Sequence, residues 1–312
     1  MQGEESWRLQ LSVVIESIGD HLAMCNELVE IRNSPGRGRG LFARSDLKAG
    51  TVVVEDVALV RLTVPHTPAT LAKFVAQLRS EVRTLDEDRQ EEFFSLHIAR
   101  PELSSKDRGE LRMMAVYQAN AVTIKELDKL KGKYLGTAVF PVISRINHSC
   151  KPNCVWSFNT AQGVAEVRCV RDVKMGEEIL ANYVNPLSSR ADRQTVLTAK
   201  YNFTCDCEVC RSEEEEVKIN DRLRREILGL TNNMEDIFTS NPQKAFKYAK
   251  MKLERMDQIA EEVIEILPQT YLDCYELCLA LGEKEIAEIF AVKGRNVAKI
   301  IRGNNSLWSQ IK

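Results

Sequence analysis

The 312-residue sequence lacks the features that mark several common classes of protein. It has no uninterrupted apolar run near the ~18 residues that a membrane-spanning helix needs. Glu4 and Glu5 stand among the first residues and no apolar core follows, so we expect no secretory signal peptide. Lys and Arg number 43 against 45 Asp and Glu, so the basic excess typical of nucleic-acid binding is missing. We therefore expect neither a membrane nor a nucleic acid as partner.

Cysteine is absent between residues 66 and 135 but concentrated further on. Nine cysteines, an odd number without an export signal, indicate reduced thiols in a cytoplasmic or nuclear protein. The segment Cys205-x-Cys207-x-x-Cys210 offers three thiolates, and structural zinc takes four ligands. The alternative is three buried core cysteines, which the flanking Asp206 and Glu208 argue against. Candidates for the fourth ligand are Cys150, Cys154, Cys169 and His148.

A polar segment, residues 145–154, follows the apolar run 138–143. It contains Asn147, His148, Cys150 and Asn153, which are costly to bury unless partners or ligands satisfy them. Asn, Ser and Pro are also common in turns, so a surface turn is the simpler alternative. The downstream cysteines and a tyrosine at the end of a predicted strand favour a functional segment.

A glycine-rich segment, residues 36–43, resembles a dinucleotide-binding fingerprint with Glu55 or Asp56 at the expected acidic spacing. A Rossmann turn must open a helix, whereas the turn residues 45–50 lead here into a strand at Thr51–Glu55. We therefore reject that interpretation. The glycines would let the backbone approach some other ligand, and Arg37 and Arg39 could face its carboxylate.

Apolar periodicity predicts an α+β protein whose helices fall in three groups. An amphipathic helix is expected near the N-terminus, and almost the whole chain after residue 216 is expected to be helical, with a hairpin at Gly282. The charged run Glu213–Glu216 is expected to be a solvated hinge. The middle group is predicted at Leu71–Arg83, Asp86–His97 and Lys106–Gln118, and strands are predicted at Leu28–Arg32, Gly163–Val170 and Glu178–Tyr183.

Four motifs, in this order and at these spacings, resemble a SET domain followed by a post-SET zinc loop, most closely the SMYD branch of lysine methyltransferases. They are Gly38-Arg39-Gly40-Leu41, Asn147-His148-Ser149-Cys150-x-Pro152-Asn153, Gly176-Glu177-Glu178-Ile179-x-x-x-Tyr183 and Cys205-x-Cys207-x-x-Cys210. The resemblance implies a SET β-fold of short strands with a pseudoknot, in which a neighbouring loop covers the Asn-His segment. It also implies S-adenosylmethionine as methyl donor, one structural zinc ion and a protein substrate that carries the target lysine.

The resemblance implies four parts of the chain. These are an N-terminal helix at 1–27, a SET domain at 28–190 with a helical insert at about 66–125, a post-SET zinc loop at 191–212, and a helical TPR-like domain at 213–312. We expect a monomer. The cysteine-free region stands where SMYD proteins have their MYND finger, so partner docking through such a finger is not expected here.

Site residues are also implied by the resemblance. Tyr183 would be the active-site tyrosine and Tyr201 the second wall of the lysine channel, which Val122 and Ser144 would also line. The cofactor would be bound by Arg37, Gly38, Arg39, Asn147, His148, Tyr183 and Phe203. The zinc ligands would be Cys150, Cys205, Cys207 and Cys210.

Two departures from the family pattern bear on activity. Val122 stands where an aromatic residue usually lines the channel, which leaves the number of methyl groups open, and Ala99 stands where Asn or His usually touches the cofactor. These changes favour a second hypothesis, in which the protein is an inactive SET scaffold that binds protein partners through its C-terminal helices. A zinc-stabilised nucleic-acid module is the weaker alternative, because neither net charge nor basic clustering supports it.

Overall fold

A computed structural model describes residues 27–100, 102–103, 108–126, 133–303 and 308. The helix predicted at residues 1–27 lies almost wholly outside these ranges. The described chain combines three small β-sheets with helices, and helices alone follow the last strand. The α+β prediction is confirmed. None of the helices in the described ranges combines the length and apolarity that a membrane span requires.

The strands are short, and each sheet draws them from distant parts of the sequence. One sheet has the order β1-β2-β10-β7, a second β3-β9-β8 and a third β4-β6-β5. The strands are β1 Val29–Ser34, β2 Gly38–Ala43, β3 Val52–Asp56, β4 Val60–Leu62, β5 Val122–Glu126, β6 Lys133–Val139, β7 Asn147–His148, β8 Cys154–Asn159, β9 Val164–Cys169 and β10 Glu178–Ala181.

The first sheet brings three sequence motifs side by side. The glycine-rich strand β2 pairs antiparallel with β10, with Leu41 opposite Ile179. On its other edge β10 pairs parallel with β7, where Ala181 lies opposite His148. Gly36 and Gly38 adopt positive φ angles of 75° and 76° in the turn that joins β1 to β2, a conformation that favours glycine. The strand that leads to Tyr183 is therefore flanked by the glycine strand and the Asn-His strand.

The inserted helices pack on the third sheet and form a separate apolar cluster. They are α1 Leu71–Thr84, α2 Glu87–Phe94 and α3 Glu110–Asn120. The Asp86 side chain caps α2 by accepting the Arg89 N–H at 2.8 Å. Helix α2 stops three residues before the predicted end at His97. The buried members of the cluster include Phe74, Leu78, Phe93, Val116 and Tyr117.

After the sheets the described residues form six α-helices and two short 3-10 helices, and antiparallel α-helices that follow one another pack in pairs. The α-helices are α4 Arg190–Tyr201, α5 Glu208–Arg211, α6 Glu214–Ile237, α7 Pro242–Met256, α8 Leu267–Ala280 and α9 Lys284–Arg302. Gly282, with φ of 78°, makes the predicted turn between α8 and α9. Helix α9 returns to the second sheet, where Ile301 packs with Val155 and Val170. The prediction of a hinge at Glu213–Glu216 was wrong, because Glu214–Glu216 form the first turn of α6. Acidic side chains there interact favourably with the helix dipole.

Candidate active site and metal site

Tyr183 lies two residues beyond β10, within a group of aromatic rings. Its ring centroid is 4.9 Å from that of Tyr201 and 5.3 Å from that of His148. Its hydroxyl donates a hydrogen bond to the Ile146 carbonyl. Burial raises the pKa of Tyr183 well above its usual value, with Tyr201 and Glu178 adding to the effect. The phenol is therefore neutral near pH 7, and its oxygen keeps lone pairs free to accept a further hydrogen bond.

The end of helix α4 completes this aromatic group. Asn202 adopts the left-handed conformation, with φ of 59°, and turns the chain so that Tyr201 and Phe203 both face the group. Their ring centroids lie 6.3 Å apart, and Phe203 lies 6.2 Å from His148. The Tyr201 carbonyl is 3.1 Å from Nε2 of His97, so the segment between α2 and α3 of the insert contacts the same aromatic side chains. We call these four rings, His148, Tyr183, Tyr201 and Phe203, the aromatic group.

His148 is bonded within the protein through both ring nitrogens. The backbone N–H of Tyr183 donates to Nδ1 at 3.1 Å, which places the ring proton on Nε2. Nε2 lies 3.4 Å from the sulfur of Cys150. Burial lowers the pKa of His148 to about 4, so the ring is neutral at pH 7. This imidazole is therefore not free to act as a general base.

Asn147 joins the glycine strand to β10. Its amide nitrogen donates to Oε1 of Glu178 at 2.7 Å and to the carbonyl of Arg39 at 3.2 Å. Gly40 leaves the space that this contact needs, because a Cβ atom there would overlap the Glu178 carboxylate. Nearby, Arg37 pairs with Asp206 of the cysteine segment. The residues predicted to bind the cofactor thus form one contiguous group.

The two remaining predicted channel residues, Ser144 and Val122, lie beside the buried core of the β-sheets. Ser144 lies in the 3-10 turn Ile143–Arg145, and its Oγ is buried without a hydrogen-bond partner. Such an orphaned hydroxyl is unusual and is often satisfied by a ligand or water. Val122 is half-buried and packs against the core of the sheets. It shares the inward side of β5 with the fully buried Ile124.

The structure brings Cys150 together with the three cysteines of the downstream segment. The four sulfurs lie within 4.8 Å of one another, and those of Cys150 and Cys210 are 3.6 Å apart. All four side chains are buried. A tetrahedral zinc ion with Zn–S bonds of about 2.3 Å holds its sulfurs about 3.8 Å apart. The donor set and its spacing therefore fit a metal ion.

Of the other candidates for the fourth ligand, Cys154 and Cys169 lie opposite each other on β8 and β9. Their sulfurs are 3.6 Å apart, in the fully buried core of the second sheet. They belong to a different cluster from the four cysteines. His148 contacts Cys150 from outside the set of four sulfurs.

Comparison with known protein families matches residues 38–184 to the SET domain. This range contains the glycine strand, the Asn-His strand and Tyr183. The SET-domain match covers just under half of the 312-residue chain.

Three similar proteins are named as lysine methyltransferases. Histone-lysine N-methyltransferase set5 of Schizosaccharomyces pombe is 27% identical over 282 residues, which cover 90% of this chain and 81% of that protein. N-lysine methyltransferase SMYD2-B of Danio rerio is 24% identical over 269 residues, covering 75% and 60%. Human N-lysine methyltransferase SMYD2 is 24% identical over 255 residues, covering 71% and 57%. The chain thus spans under two thirds of each of these SMYD2 proteins. The matches confirm the predicted resemblance to SET-domain lysine methyltransferases of the SMYD kind.

Asp56 supports this site in a role that its sequence position does not predict, since there it fits only the rejected dinucleotide fingerprint. The buried carboxylate of Asp56, at the end of β3, accepts the backbone N–H groups of Val142 and Ile143, both at 2.8 Å. It thereby fixes the start of the turn that carries Ser144 and leads into β7. Asp56 follows an apolar strand, as many surface acids do, and its partners lie 86 and 87 residues away. The sequence gives no signal of this contact.

Proposed function

We propose that this SET domain is an S-adenosylmethionine-dependent protein-lysine N-methyltransferase. The observation that carries the proposal is the aromatic group around Tyr183, placed beside the glycine strand and the Asn-His strand. The relatives are named as histone-lysine and N-lysine methyltransferases, which supports the same activity. We expect the substrate to be a protein, histone or non-histone, and the enzyme to act as a monomer in the cytoplasm or nucleus.

The cofactor would bind beside the start of β2 and strand β7, where Asn147 contacts Arg39. S-adenosylmethionine supplies a methyl group on a positively charged sulfonium. Arg37, Gly38 and Arg39 would hold its methionine end, where the exposed Gly38 leaves the backbone open to close approach. Asn147 and His148 would bind its amino and adenosine parts. Both ring nitrogens of His148 are bonded within the protein, so we propose that His148 contacts the cofactor through its backbone. Phe203 would stack on the adenine.

The lysine channel would lie between Tyr183 and Tyr201, with Ser144 and Val122 along its wall. A lysine with a pKa of ~10.4 must lose its proton before it can accept a methyl group, and a narrow aromatic channel disfavours the charged form. The Tyr183 proton is committed to the Ile146 carbonyl, so the hydroxyl oxygen would accept a hydrogen bond from the substrate amine. The unpartnered hydroxyl of Ser144 would gain a partner there. Catalysis would then depend on alignment and electrostatics rather than on a dedicated base.

The cysteine cluster would hold one structural zinc ion. Four protein ligands leave no open coordination position, so the ion would fold the post-SET segment rather than take part in chemistry. Phe203 lies two residues before Cys205, and Cys150 lies two residues after His148. The metal would therefore hold two members of the aromatic group in place.

A transfer assay tests the proposal. The protein is incubated with whole-cell extract and S-adenosylmethionine tritiated at the methyl group, and acid hydrolysates of the labelled proteins are analysed. We expect the label in Nε-methylated lysine. In parallel, S-adenosylmethionine or its demethylated product should raise the melting temperature through binding linkage, whereas NAD should not. Binding without any transfer would support the inactive scaffold, and a shift with NAD alone would revive the dinucleotide interpretation.

A further inference from the structure

Arg193, on helix α4, is a guanidinium buried against the cysteine cluster. It is 1% exposed and is among the largest fully buried side chains of the described chain. Its Nη2 lies 3.9 Å from the sulfur of Cys210, within the range of an N–H···S contact. Its Nη1 donates to the carbonyl of Ser188 at 2.7 Å. The side chain thus lies between the sulfurs and the segment that follows Tyr183.

The protein groups around Arg193 do not fully balance its charge. A buried guanidinium is costly unless it is paired and hydrogen-bonded. The carboxylate that pairs with it is Asp221 on α6, at 4.0 Å from Nη1, the outer limit of an ion pair. That carboxylate already accepts the backbone N–H of Arg190 at 2.8 Å. Nε of Arg193 is buried and has no partner. A further negative charge nearby is needed to explain so complete a burial.

The metal-loaded cluster would supply that charge. Four thiolates around one divalent ion carry a net charge of −2, whereas four neutral thiols carry none. Three other cations near the cluster are paired with carboxylates: Arg37 with Asp206, Lys151 with Glu208 and Glu261, and Arg224 with Glu262. Among the described residues, Arg193 is the cation that makes a hydrogen-bond contact to one of the four sulfurs.

We infer that Arg193 is an outer-shell donor of the cysteine metal site, balancing the charge of the thiolates and joining the site to helix α6 through Asp221. The inference rests on the proposed zinc ion. Residues that contact metal ligands typically change metal affinity by about 10–100-fold when they are replaced. Loss of the guanidinium therefore lowers the affinity of the site for the metal even if the protein still folds.

The test compares Arg193→Gln with Arg112→Gln. Arg112 is a matched control, because it is 5% exposed, donates to the Phe94 carbonyl at 2.9 Å and also has a buried, unpartnered Nε, but lies in the helical insert. Zinc content is measured by native mass spectrometry, and release of zinc is followed with a chromogenic chelator. We expect release about 10–100-fold faster from Arg193→Gln than from the wild type. Arg112→Gln should release zinc within about 2-fold of the wild-type rate, whatever its loss of stability.

The cobalt-substituted proteins give a second readout that lost stability alone would not produce. Removing an N–H donor from a sulfur should shift the sulfur-to-cobalt charge-transfer band to longer wavelength. If Arg193→Gln fails to fold, zinc release and the cobalt spectrum are measured on Arg193→Lys instead. Lysine keeps the positive charge but cannot contact Ser188 and Cys210 at the same time. Wild-type protein without zinc would overturn the proposed metal site and this inference with it. One zinc per wild-type chain, with unchanged release and spectrum in the Arg193 variants, would overturn this inference alone.

Discussion

Replacing Asp56 by asparagine should stabilise the protein at pH 8 relative to the wild type, with little effect near pH 4. Asp56 is 4% exposed, and its carboxylate accepts the backbone N–H groups of Val142 and Ile143, both at 2.8 Å. These two residues immediately precede Ser144. An asparagine has nearly the same shape, and its amide oxygen can accept both N–H groups. The substitution therefore removes the charge and leaves the contact in place.

The sign and size of the effect follow from the pKa of this carboxyl group. Burial raises the pKa of Asp56 from 3.8 to about 7, against the opposing effect of the backbone N–H groups. The folded state therefore holds a proton that the unfolded state has lost between about pH 4 and pH 7. The contribution of Asp56 to the free energy of unfolding is fully present below pH 4. It is lost as the pH rises through this window. A pKa difference of about 3 corresponds to about 4 kcal/mol, which is the upper limit of the gain expected for Asp56→Asn at pH 8.

Urea unfolding of both proteins from pH 4 to pH 8 measures this difference. Asp46→Asn is the control, because the exposed Asp46 carboxylate accepts hydrogen bonds from Lys174 and from the Met175 N–H, which lower its pKa. Its effect should have the opposite sign, since that variant loses stability relative to the wild type as the pH rises. Parallel stability curves for Asp56→Asn and the wild type would refute the reasoning.

Three further substitutions test separate parts of the site. Cys207→Ser should reduce the zinc content from one ion per chain to none and lower the melting temperature, because the metal that stabilises the post-SET segment loses a ligand. Native mass spectrometry gives the zinc content, and one ion per chain in the variant would contradict the ligand set. Gly40→Ala should weaken S-adenosylmethionine binding in calorimetry, because the added methyl group displaces the Glu178 carboxylate that holds Asn147. Val122→Phe should shift the product toward monomethyl-lysine at nearly constant melting temperature if Val122 lines the channel. An unchanged product ratio, with stability lower by about 1–3 kcal/mol, would place Val122 in the core instead.

Much of the site could be predicted because its residues are adjacent in sequence to recognisable motifs. The pairing of β10 with both β2 and β7 explains why the glycine segment, Asn147 and Tyr183 converge, although no local pattern shows that pairing. The fourth member of the cysteine cluster could not be chosen by spacing alone. Cys150, Cys154 and Cys169 are all buried, and the fold alone separates Cys150 from the pair on β8 and β9.

Local patterns gave the positions of helices and strands better than their ends. Strand β10 stops at Ala181, before the predicted end at Tyr183, because the Tyr183 N–H turns toward the His148 ring. Helix α2 stops at Phe94, and Ser95 beyond it binds the buried Arg145 through its side chain at 2.8 Å. Both ends are set by partners more than 30 residues away in the sequence.

The most direct test of the central claim is the rate of methyl transfer by Tyr183→Phe at saturating S-adenosylmethionine. The variant loses only the hydroxyl that we place against the substrate amine, so its turnover should fall by roughly 100-fold or more. Its melting-temperature shift with S-adenosylmethionine should persist, and Tyr248→Phe in helix α7 should behave as the wild type. Transfer by Tyr183→Phe at the wild-type rate, or no transfer by the wild type, would contradict the assignment of this aromatic group as a methyltransferase site.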